Sequence, residues 1–89
     1  MNLNEYLTAA NILEVLVSQD SKASDLLNEA LGYQRKANSF HDIENKEALQ
    51  LNGYYRDTMR RCSKRLTALT GLDKAIVNRA LLTIATDRL

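Results

Sequence analysis

Apolar residues recur along the chain in steps of three and four, and the pattern resolves into four helical segments. The first spans about 3–17, where Leu3, Leu7, Ala10, Leu13 and Val17 share a face and Ile12 and Leu16 widen it. So broad an apolar surface belongs either to the centre of a bundle or to a dimer contact. Ser18-Gln19-Asp20-Ser21 breaks the pattern and offers capping oxygens, which starts a second helix over about 22–37 with Ala23, Leu26, Leu27, Ala30 and Leu31 inward. Gly32 weakens that helix by ~1 kcal/mol relative to alanine, so it ends there or continues to about Ala37.

The stretch 38–42 reads as a loop in which Ser39 or Asp42 caps the next helix and Phe40 plugs the edge of the core. The third helix is the longest, about 43–69. Ala48, Leu51, Tyr55, Met59, Cys62, Leu66 and Leu69 form a nearly heptad seam along it. Gly53 inside it is a place for a kink or a split. Thr70-Gly71 ends the helix, because glycine takes the left-handed conformation of a helix stop. A fourth helix covers about 73–87, with Ile76, Ala80, Leu81, Leu82 and Ile84 as its apolar positions.

Composition sharpens this into an all-α, four-helix, single domain. There is no proline and there are only three glycines in 89 residues, too few turn residues for a strand-rich fold. A chain of this length buries only ~60% of its unfolded surface, so its core is thin and self-association, as a homodimer through the first helix, would add to it. An apolar fraction of 45% with 26% charged residues is that of a globular protein rather than a disordered or membrane-embedded one. The opening Met1-Asn2-Leu3-Asn4-Glu5 lacks the basic start of a signal peptide, and the longest uncharged stretches, 6–13 and 48–55, are too short to span a bilayer. Cys62 is the single cysteine, which fits a reducing compartment; a cytoplasmic location is expected.

The net charge of +1 conceals a gradient. Residues 1–45 sum to −4 and residues 46–89 to +5, which points to an acidic partner for the second half or to a second copy packed head to tail. Catalytic or metal chemistry has little to work with: one histidine, His41, and one cysteine on different elements cannot supply the three or four ligands of a zinc site. No phosphate-binding glycine loop, dinucleotide fingerprint or nucleophile elbow is present, so a non-enzymatic protein without cofactor is expected. Cys62 has Arg60, Arg61, Lys64 and Arg65 beside it in sequence, but its place on the inward seam makes it a small buried apolar group. The basic cluster is more informative. Arg56, Arg60 and Lys64 recur every four residues as one stripe, with Arg61 and Arg65 as a second beside it and only Asp57 interrupting. Such stripes line up along a phosphate backbone, pair with an acidic protein surface, or simply face solvent.

Ser63 to Leu82, SKRLTALTGLDKAIVNRALL, resembles the helix-turn-helix element of bacterial and phage transcription regulators. Leu66, Thr67, Gly71, Leu72 and Val77 fill its places for an apolar residue, a small residue, the turn glycine, the next apolar residue and a branched apolar residue. Thr67 stands where that family usually has alanine. In the motif the glycine permits the tight turn and the apolar positions, here with Leu81, fix the angle between two helices so that the second enters a major groove. The resemblance implies that Asp73, Lys74, Asn78 and Arg79 face outward on the reading helix, that Asn78 and Arg79 bond bases, and that Lys74 and members of the Arg56–Arg65 cluster contact phosphates.

Read without the resemblance, the same residues form a helical hairpin stopped at Gly71, with Leu82 packed inward. The two readings lead to different functions: a small DNA-binding regulator, or a helical adaptor or inhibitor that docks on a protein through the first helix or the basic stripe.

Overall fold

The structure is a computed structural model that describes residues 3–42 and 44–89. Met1 and Asn2 of the opening, and Ile43 at the expected start of the third helix, lie outside the described residues. The regular elements are α1 (Leu3–Gln19), α2 (Ser21–Asn38), α3 (Lys46–Thr70) and α4 (Lys74–Arg88). The chain is an all-α, four-helix domain.

Local chemistry sets the helix boundaries. The Asp20 N–H closes the last turn of α1 on the Leu16 carbonyl at 2.8 Å, while Asp20 Oδ1 accepts from the Ala23 N–H at 2.8 Å and caps α2. One residue therefore ends one helix and begins the next, where a break over 18–21 is expected from the sequence. α2 runs through Gly32, and α3 runs unbroken through Gly53, because tertiary packing along both helices outweighs the propensity cost of one glycine. The cap of α3 is neither Ser39 nor Asp42. Asn45 Oδ1 accepts from the Glu47 and Ala48 N–H groups at 2.9 and 3.2 Å. Ser39 instead closes the C-terminus of α2, and Asp42 accepts from the Glu44 N–H at 2.9 Å in the turn between.

Gly71 ends α3 in the left-handed region, φ +70°, with its N–H on the Thr67 carbonyl at 2.9 Å. Two residues later Asp73 caps α4 by accepting from the Ala75 N–H at 2.8 Å.

α2 and α3 share the most extensive contact, and α1 packs mainly on α4. α3 returns antiparallel to α2, bringing the Cys62 thiol to the Ala23 carbonyl at 3.6 Å. α4 meets α3 where Asn78 contacts Ser63, and the carbonyl of Arg88 accepts from Arg35 Nη2 at 2.8 Å near the far end of α2. All four helices contribute to one core, with Leu13, Leu27, Leu66 and Leu81 at its centre and Cys62 fully buried among them. Phe40 is partly buried.

The inward faces differ from the expected seams at particular residues. Ala9, Leu13 and Val17 form the buried line of α1, whereas Leu3, Leu7 and Ile12 are exposed. Leu69 and Leu82 also lie outside the core. The molecule is flat, 38 × 28 × 18 Å, so its thin dimension holds about two helix layers at ~10 Å each.

Candidate nucleic-acid interface

α3 and α4 frame a groove whose walls carry Arg56 and Arg60 from α3 and Lys74 and Asn78 from α4. The three cations are exposed. Lys64, one turn beyond Arg60, extends the same stripe and is also exposed. Lys74 reaches this wall because Asp73 caps α4 and places Lys74 in its first turn, next to the α3 terminus.

Arg56, Arg60 and Lys64 repel one another at four-residue spacing, at a cost of about 0.2–0.5 kcal/mol per pair. Asp57 offsets part of this through a 3.5 Å pair with Arg60, but both side chains are largely exposed, where such pairs contribute at most about 1 kcal/mol. Local helix stability does not account for the stripe.

The remaining cations of the sequence cluster point elsewhere. Arg65 leaves the stripe for the α1–α2 joint, where Nη2 lies 2.7 Å from Asp20 Oδ2. The hydrogen bond between them is the main cause of two opposite shifts: it holds the Asp20 carboxyl below its usual pKa and raises that of the Arg65 guanidinium. Arg61 donates to Thr58 Oγ1 at 3.2 Å and lies within electrostatic reach of Tyr33 on α2. Arg79 sits on the other flank of α4 with its guanidinium 5.9 Å from the centre of the Tyr6 ring on α1, a cation–π arrangement. Asn78 Oδ1 accepts from the Ser63 hydroxyl, so its acceptor is engaged inside the groove. The expected outward Asp73 is occupied as a cap.

Tyr55, Met59, Leu81 and Leu82 form the floor of the groove. Burial pushes the Tyr55 hydroxyl above its ordinary pKa. Met59 and Leu81 are legible in the sequence only as core positions, and both are buried beneath the groove. Nothing local to Tyr6 or Ser63 announces their contacts with α4.

The described residues hold no cluster of three histidine, cysteine or carboxylate groups able to bind a metal. His41 is exposed in the loop between α2 and α3. No described helix is long and apolar enough to cross a membrane. No family model, curated protein or solved structure gives a significant match to the chain.

Proposed function

We propose that this is a non-catalytic regulator that binds duplex DNA through the α3–α4 face. The observation that carries the reading is the convergence of Arg56, Arg60 and Lys74 on one groove, with Lys64 continuing the line. Arg56 to Lys64 covers about 12 Å of helix axis. Duplex DNA presents a phosphate charge every ~1.7 Å along its axis, so these cations meet a dense row of partners. The resemblance of residues 63–82 to a helix-turn-helix supports duplex DNA over other polyanions. Because Asn78 is engaged by Ser63 and Arg79 lies against Tyr6, phosphate contacts carry this reading more than base contacts do. Binding is accordingly salt-sensitive and only weakly sequence-selective.

A second reading is favoured by the groove floor. Tyr55 and Leu82 offer apolar surface that phosphates do not use, whereas an acidic amphipathic helix of a partner protein would cover it and place its carboxylates on the cationic walls. Fluorescence-anisotropy titrations with a labelled duplex and with a labelled acidic amphipathic peptide separate the two. DNA binding predicts tight duplex association at low salt that weakens in the Arg56→Ala, Arg60→Ala, Lys74→Ala triple variant. Binding of the peptide alone, lost on Leu82→Glu, transfers the site to a protein partner.

A further inference from the structure

Ser63 is 3% exposed, and at that depth its hydroxyl proton needs an acceptor, because a buried donor left unpaired is costly. It finds one in Oδ1 of Asn78, across the α3–α4 contact, and has no other partner among the described residues. The hydroxyl therefore fixes which way the amide faces. The reversed amide, with Nδ2 against the Ser63 oxygen, would leave the hydroxyl proton without an acceptor. With Oδ1 turned onto a buried residue, Nδ2 keeps both of its N–H groups unpartnered among the described residues, on an exposed side chain that lines the basic groove.

We propose that Asn78 is a phosphate contact of the groove, held by Ser63 as a hydrogen-bond donor, and that it reads no base. This rests on the DNA reading of the α3–α4 face. Asparagine recognises adenine by presenting its carbonyl and amide side by side to one base edge. Here the carbonyl is directed below the surface, so that pairing is lost, while a donor alone is what a phosphate oxygen accepts.

The neighbours agree. Lys74 stands one helical turn before Asn78 on α4, and Arg60 one turn before Ser63 on α3, so the amide joins cations from both walls. Among the described residues, no carboxylate lines the groove itself. Ser63 is a positioning residue: it touches no phosphate and acts through Asn78.

Anisotropy titrations with two duplexes of unrelated sequence, across a salt series, test the proposal. Asn78→Ala is expected to weaken binding to both duplexes equally, by about three- to tenfold, as loss of one neutral hydrogen bond does. Its salt slope stays that of the wild type, because no charge is removed. Ser63→Ala weakens binding by less and adds nothing in the Asn78→Ala background, a non-additivity that a merely structural role for Ser63 would not produce. A loss confined to one duplex, unchanged affinity in folded Asn78→Ala, or a Ser63→Ala effect that persists in full without Asn78 overturns the proposal. A wild type that binds neither duplex refutes the DNA reading by itself. The side-chain amide resonances of Asn78 then decide, in an NMR titration with inorganic phosphate. A shift that Ser63→Ala diminishes supports the contact, and resonances that do not move, or move equally in Ser63→Ala, overturn it.

Discussion

Arg65 grips Asp20 with two nitrogens, Nε to Oδ1 at 3.2 Å and Nη2 to Oδ2 at 2.7 Å, and ties the end of α3 to the single residue that joins α1 to α2. Asp20 also caps α2, so one carboxylate serves a local and a tertiary purpose at once.

The pair makes stability depend on pH in a defined direction. The folded-state pKa of Asp20 lies below its ordinary value of 3.8, so the carboxylate stabilises the fold above that value and the contribution is lost as pH falls through the depressed pKa. Asp20→Asn keeps a capping oxygen and removes the charge. Thermal melts should show the wild type more stable than Asp20→Asn at neutral pH, with the gap closing in acid. A gap that does not change with pH would show that the charge is immaterial.

The glycines should respond with opposite signs. At Gly71, φ +70° strains any side chain, and Gly71→Ala should cost about 1–2 kcal/mol. Gly32 and Gly53 are helical with open space where a Cβ would stand, so alanine there should stabilise by up to ~1 kcal/mol. Urea denaturation of the three variants measures this.

Leu66 and Leu49 lie on the same helix with opposite fates, fully buried and 55% exposed. Leu66→Ala should cost about 2–5 kcal/mol by leaving a cavity. Leu49→Ala should stay within ~0.5 kcal/mol, as exposed substitutions do. Equal losses in denaturant titrations would contradict the assigned face of α3.

Cys62 should be chemically silent in the folded protein. Burial pushes its thiol up to about 11, and Asp20 adds to the shift, so almost no thiolate exists at neutral pH. A thiol-reactive chromophore should label it only after denaturant is added. Rapid labelling of native protein would mean that the α2–α3 contact opens.

The four helices were legible because apolar spacing in steps of three and four survives in every segment. The inward line of α1 was less so. Leu3, Leu7, Ala9, Ala10, Ile12, Leu13, Val15, Leu16 and Val17 surround the helix with apolar choices, and only packing against α4 selects Ala9, Leu13 and Val17. The cap of α3 was ambiguous for a related reason: Asn38, Ser39, Asp42 and Asn45 all carry capping oxygens, and the fold uses Asn45. Of the basic cluster, the stripe of Arg56, Arg60 and Lys64 could be read from its spacing. The departure of Arg65 to Asp20, of Asn78 to Ser63 and of Arg79 to Tyr6 could not, because each depends on a partner from another helix.

The most direct test of the DNA reading is the salt dependence of duplex binding for the wild type and for the Arg56→Ala, Arg60→Ala, Lys74→Ala variant. Each phosphate neutralised contributes a slope of about −0.9 to the logarithm of the affinity against that of the salt concentration. The wild type should bind at low salt, and the variant's slope should be shallower by about two to three, reflecting the contacts removed. Absence of duplex binding at low salt, or an unchanged slope in the folded variant, would contradict the account.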